Sequence, residues 1–117
     1  MNHLEKGRTG ENMAADFLIK KGFEILERNY RYKKSEIDII ARLKKTIIFI
    51  EVKTRSKTTF GFPEDFVSEP QESRIMEAAD FFLETTLIPH QFIRFDIISI
   101  IKNSSQQELV HIEDAFH

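Results

Sequence analysis

Two short apolar stretches each carry acid where a strand interior would not hold it alone. They are Ser35-Glu36-Ile37-Asp38-Ile39-Ile40 and Phe49-Ile50-Glu51-Val52-Lys53. A charge in such a setting is expensive without a partner or a metal. Period-two alternation puts Glu51 and Lys53 on one face of the second stretch, roughly 6–7 Å apart along the strand. A short polar turn around Leu43-Lys44-Lys45 joins the two stretches as an antiparallel hairpin, so Asp38 can stand beside Glu51. Two carboxylates that close repel each other unless a proton or a cation lies between them. Mg²⁺ takes one or two carboxylates together with water and phosphate oxygens. A lysine beside it can orient or deprotonate an attacking water, or stabilise charge on a pentavalent phosphorus. The residue types therefore suit metal-assisted phosphodiester cleavage, with Mg²⁺ or Mn²⁺ held by Asp38 and Glu51 and with Lys53 serving the water. The bland alternative is a buried ion cluster without catalysis.

The elements that must position these groups are legible from periodicity. A helix is expected over Leu4–Lys21, stopping before Gly22. Ala14, Ala15 and Leu18 share one of its faces. Glu11 lies three, four and seven residues before them, on the same inward stripe. Strands are expected over Phe23–Tyr32, Glu36–Ala41 and Thr46–Thr54, followed by a long loop over Arg55–Val67. Ser68-Glu69-Pro70-Gln71 has the spacing of a capping box and opens a second helix. Ile75, Ala78, Ala79 and Phe82 form its apolar stripe, and it ends before Pro89. Arg94–Ile101 is nearly all apolar and reads as a strand buried on both faces, and residues 108–112 as an edge strand. The class is α/β, a mixed sheet flanked by helices.

Bulk properties set the frame. A chain of 117 residues is expected to form a single domain, 1–117. A hydrophobic fraction of 41% supports a core. No apolar run approaches the roughly 18 residues of a membrane span. Met1–Lys6 hold no apolar signal-peptide region, and with no cysteine there is neither a disulfide framework nor a thiolate zinc site. A cytoplasmic protein without membrane contact is the expectation. Charge is uneven. Residues 1–58 carry 14 Lys/Arg against 8 Asp/Glu, and the remainder 3 against 11. That suggests a basic face built by the half that holds the candidate site. Two solvated surfaces that neutralise each other, across a dimer for example, are the alternative.

Asp38 followed by Glu51-Val52-Lys53, after a helix carrying Glu11, resembles the PD-(D/E)xK nuclease superfamily. Ile37-Asp38 matches that motif's reduced form, with a lone Asp. The chain is closer still to the small bacterial YraN-like family. Gly10-Glu11, Arg28-Asn29-Tyr30-Arg31, Glu36 to Ala41, Phe49 to Arg55 and Arg94-Phe95-Asp96 carry the likeness, which covers about residues 7 to 116. The resemblance implies a restriction-endonuclease-like αβββαβ core and an endonuclease acting on DNA. The same arrangement is similar to archaeal Holliday-junction resolvases. That likeness implies branched DNA as substrate, a homodimer, and Glu11 as a further acid of the site, touching metal directly or through water. Glu11 paired with Arg8 or Lys53 is the structural alternative. Glu36, on the face of Asp38, is a secondary candidate. YraN-like proteins usually carry Lys at the position of Gln71, where superfamily nucleases touch substrate or water. Gln71 either does that or only completes the cap with Ser68.

Arg28, Arg31, Lys33 and Lys34 precede the acidic strand, and Arg55 and Lys57 follow the third. Beside a metal–carboxylate site these suit a phosphate backbone, and Gln71, Arg55, Arg31 and Arg28 are the expected substrate contacts. Tyr30, Tyr32 and Phe60 either stack on bases or belong to the core. Asp96 beside Arg94 reads as a buried structural pair. The four histidines lack metal-ligand spacing, and no Gly-rich phosphate loop or Ser/His nucleophile motif is present. The rival to a nuclease is a non-catalytic nucleic-acid-binding module that keeps the fold.

Overall fold

The computed structural model describes residues 3–56, 68–102 and 106–116. Its elements are α1 (His3–Lys20), β1 (Glu24–Tyr32), β2 (Ser35–Leu43), β3 (Thr46–Ser56), α2 (Glu69–Thr85), β4 (Phe92–Lys102) and β5 (Gln107–Ile112). The five strands form one sheet in sequence order. β1, β2 and β3 are antiparallel neighbours, β4 runs parallel to β3, and β5 is antiparallel to β4. The parallel pair needs a crossover, and α2 lies within it. This mixed sheet with two helices is compatible with a restriction-endonuclease-like αβββαβ core, to which β5 adds an edge. Most of the loop expected over Arg55–Val67, including Lys57 and Phe60, lies outside the described residues, as does the Arg8 side chain.

Local chemistry explains the boundaries. Gly22, at φ 94°, ends α1. The Phe23 N–H returns to the Leu18 carbonyl at 2.9 Å and the Gly22 N–H to that of Ile19 at 3.0 Å, the paired closure that a left-handed glycine permits. Two-residue turns, Lys33-Lys34 and Lys44-Lys45, close the β1–β2 and β2–β3 hairpins. At α2 the Ser68 hydroxyl accepts the Gln71 N–H at 3.3 Å, while Glu69 and Glu72 place negative charge at the positive end of the helix dipole.

Each helix covers one face of the sheet. Ala14, Ala15 and Leu18 of α1 pack on Ile39, Ala41, Ile48, Ile50, Ile98 and Ile100. Ile75, Ala78, Ala79 and Phe82 of α2 pack on Ile37, Ile40, Ile47, Phe49, Phe95 and Ile97. Burial of each of these larger side chains contributes about 1.5–3 kcal/mol. β4 is buried from Phe95 to Ile100, as its apolar run requires. Tyr30 meets Phe82 edge-on at 5.4 Å and Tyr32 stacks on Phe81 at 4.4 Å, so both tyrosines pack against α2. Among the described residues, no helix is long and apolar enough to cross a membrane.

Candidate metal centre

The site forms where β2 and β3 part. Their ladder runs from Leu43 opposite Thr46 to Ile39 opposite Ile50 and stops there. Asp38 and Glu51 occupy the next positions. In place of a backbone pair, Asp38 Oδ2 accepts the Val52 N–H at 2.8 Å. Alternation also breaks at this point. Ile37 belongs to the cluster under α2, whereas Ile39, two residues on, belongs to the cluster under α1. Asp38 thus lies between the two layers and can be reached by side chains from both helices.

From β3, Glu51 and Lys53 continue the face of Ile47 and Phe49, toward α2. Glu51 is buried. Lys53 Nζ lies 3.8 Å from Glu51 Oε1 and donates to Gln71 Oε1 at 3.3 Å. The Gln71 backbone therefore serves the cap while its side chain serves the site. From α1 comes Glu11. Carboxylate oxygens of Glu11, Glu36 and Asp38 lie within 4.8 Å of one another. Gly10 permits that approach, because a Cβ there would stand 2.6 Å from Thr54 Oγ1 of β3.

The tightest carboxylate triad therefore differs from the one expected. Glu36, a secondary candidate by sequence, joins Glu11 and Asp38 in it, and Glu51 is linked to Asp38 by a hydrogen bond between their carboxyl groups. Asn29 went unnoticed as a site residue. It stands opposite Asp38, bracketed by the pairs Arg28–Ile39 and Tyr30–Ile37, with a left-handed φ of 53°. With its amide oriented to satisfy its neighbours, Nδ2 donates to Glu11 Oε1 at 2.7 Å and to Glu36 Oε1 at 3.0 Å. One neutral donor thereby ties an acid of α1 to an acid of β2. The available signal was an asparagine, a residue tolerant of left-handed backbone, in the middle of a strand.

Electrostatics mark the Asp38–Glu51 pair. Burial raises both carboxyls, and Glu51, with the charge of Asp38 against it, is pushed up to about 8. Two negative charges are costly together here, and a cation could offset that cost. The donor set is all oxygen, which suits a hard cation such as Mg²⁺ or Mn²⁺.

The other expected contacts are spread out. Arg31 is exposed and pairs with Glu36 at 3.2 Å. The Arg28 guanidinium donates to Asn12 Oδ1 at 2.7 Å. Arg55 is partly buried on β3, two residues beyond Lys53. A cleft of about 330 Å³ opens beside the acids, lined by Lys34, Ser35, Glu36, Asp38, Glu51, Gln71, Arg74 and Ile75. Asp96 stands apart in a closed network. It receives Arg94 at 2.8 and 2.9 Å, His111 Nε2 at 2.8 Å and the Asp114 N–H at 2.9 Å. This is the structural pair that the sequence suggested, with a histidine added.

The chain is also similar to known proteins. The chain matches the family model described as "Uncharacterised protein family UPF0102" over residues 10–100, a span that includes Glu11, Asn29, Glu36, Asp38, Glu51, Lys53 and Gln71. It is 46% identical over 114 residues to a UPF0102 protein of Christiangramia forsetii, covering 97% of this chain and 95% of that protein. It is 42% identical over 119 residues to one from Caldicellulosiruptor bescii, covering 99% and 100%. A UPF0102 protein of Clostridioides difficile is 41% identical over 116 residues, with the same coverage.

Proposed function

The chain belongs to the UPF0102 family, and we propose that it is a divalent-metal-dependent endonuclease of the PD-(D/E)xK type, acting on DNA. The observation that carries the proposal is the convergence of Glu11, Glu36 and Asp38 within 4.8 Å, with Glu51 bonded to Asp38 and Lys53 alongside. Asp38, Glu11 and Glu51 would hold the cation, with Glu36 at its side, and Asn29 would orient two of these acids. A bound Mg²⁺ or Mn²⁺ supplies Lewis acidity toward a phosphate oxygen and lowers the pKa of water. Lys53, fixed between Glu51 and Gln71, places a proton-bearing Nζ where a water or a phosphoryl oxygen would face the acids. Burial of Glu51 and Asp38 strengthens each of these interactions by excluding bulk water. Branched or structured DNA fits the likeness to junction resolvases, and a homodimer would supply a second site for a second strand.

The test is cleavage of a junction, flap and duplex panel with Mg²⁺ or Mn²⁺, against a Lys53→Ala control. Nicking by the wild type alone is the expected result, and no nicking above the control ends the enzymatic reading. A second reading is a DNA-binding module without catalysis. It is favoured by the uneven charge, 3 Lys/Arg against 11 Asp/Glu beyond residue 58, and by Gln71, a neutral group where the YraN-like resemblance implies Lys. It predicts salt-sensitive DNA binding that survives Asp38→Asn.

A further inference from the structure

Several of the cations near the acids are already engaged. Arg31 is turned onto Glu36, Arg28 onto Asn12, Lys33 lies 4.0 Å from Glu77, and Lys53 is held by Glu51 and Gln71. Two cations lining the cleft have no such engagement. The exposed side chains of Lys34, in the β1–β2 turn, and Arg74, on α2, form no ion pair or hydrogen bond among the described residues. Arg74 is also out of keeping with its helix. From Glu69 to Thr85 it is the one basic residue among five acids. Its neighbour one turn on, Glu77, faces Lys33 instead. Gln71, one turn before Arg74, reaches Lys53 in the site.

We propose that Lys34 and Arg74 are a two-point grip on a nucleic-acid backbone, taking the phosphates on either side of the one held over the carboxylates. The inference rests on the phosphodiester reading of the site and names the substrate contacts for it. Unpaired cations at the mouth of an acid-lined cleft offset the repulsion that the acids exert on an approaching polyanion. The cleft, at the small end of ligand-site volumes, seats one strand's phosphodiester rather than a base pair. Single-stranded segments, as in flaps and frayed branches, are then the substrate class that enters it.

The experiment measures affinity of the full chain for a short single-stranded DNA oligonucleotide, with Ca²⁺ present, across a range of salt. Lys34→Gln and Arg74→Gln should each flatten the log K against log salt slope by about 0.7 and weaken binding by about fivefold at 0.1 M salt. Arg74→Lys should keep the slope, because a point charge suffices at a phosphate. Arg28→Gln should change it clearly less. A merely structural role for Arg74 would move stability and leave the slope alone. Unchanged slopes in both cleft variants, or an equal loss in Arg28→Gln, overturn the grip, as does an absence of salt-dependent binding by the wild type. If binding follows these expectations while no substrate is cut, the grip stands and the enzymatic reading falls.

Discussion

Replacing Glu51 by Gln should make the metal-free protein more stable, and the gain should depend on pH. The Glu51 carboxyl is pushed from its usual 4.5 up to about 8, by burial first and then by the charge of Asp38. The folded state therefore binds more protons than the unfolded state between those values. Stability contributed by this group is fully present below 4.5 and is lost as pH rises toward 8. At about 1.4 kcal/mol for each tenfold change, the full displacement amounts to about 5 kcal/mol, and relaxation of the cleft reduces this to about 2–5 kcal/mol. Glutamine keeps the shape and can donate to Asp38 without a charge to lose. In EDTA, thermal melts of wild type and Glu51→Gln should nearly coincide at pH 5. At pH 8 they should differ by about 8 °C or more in favour of the variant, at about 4 °C per kcal/mol for a domain of this size. Adding Mg²⁺ at pH 8 should stabilise the wild type and do little for the variant. A cation present at tenfold its Kd contributes about 1.4 kcal/mol. A wild-type-minus-variant difference that is flat from pH 5 to 8, or a less stable variant at pH 8, refutes the reasoning about this pair.

Other expectations follow from the same geometry. Asn29→Gly removes the amide but accepts the left-handed backbone, so the fold should persist while calorimetry shows Mg²⁺ or Mn²⁺ affinity lowered by about tenfold or more. Gly10→Ala puts a Cβ 2.6 Å from Thr54 Oγ1 and should cost about 1–3 kcal/mol in chemical denaturation, with Thr54→Ala restoring most of it in the double variant. Asp96→Asn should cost about 3–5 kcal/mol at pH 7, because Arg94 and His111 lose a buried partner. Burial alone would raise the Asp96 carboxyl, but hydrogen bonds from His111, Arg94 and the Asp114 amide hold it below the ordinary carboxylate range. Its contribution is therefore present above pH 3.8 and should fade only as pH falls further, which urea titrations at pH 7 and pH 3 would read.

The elements were legible because their signals are local. Ser68 three residues before Gln71, Gly22 after an apolar stripe, and the alternation of Ile47 to Lys53 each name an element without tertiary information, and the observed boundaries fall within three residues of these signals. The partnership of Asp38 with Glu51 was also legible, because a two-residue hairpin turn fixes register. What escaped depends on departures from regularity. Strict alternation does not reveal that Ile37 and Ile39 serve opposite layers, so it could not place Asp38 between two helices. Nor does it distinguish Glu36 in the triad from Glu36 in solvent. The role of Asn29 depends on one positive φ inside a strand, and such a φ is set by what the ladder on the far side must accommodate.

The protein contains its own control for the rival that these acids are a structural ion cluster. Asp96 is fully buried, yet its carboxyl is held low, because two side chains and a backbone amide converge on it with four hydrogen bonds, from Arg94, His111 and the Asp114 N–H. That is how this fold treats an acid that it needs for architecture. Asp38 and Glu51 are less completely buried, yet both are raised, by burial first and, for Glu51, by the charge of Asp38 as well, while the nearest cation, Lys53, stands 3.8 Å from Glu51 and is shared with Gln71. A sequence selected only for stability would replace such a pair by apolar residues or give it a second cation, since either change is neutral or stabilising. Keeping a raised acid pair open to a cleft, with Glu11 brought in by a glycine and tied to Glu36 through Asn29, makes sense where a cation from solution completes the charge. The conflict between stability and ion binding is thus the physical signature that separates this cluster from the Asp96 network.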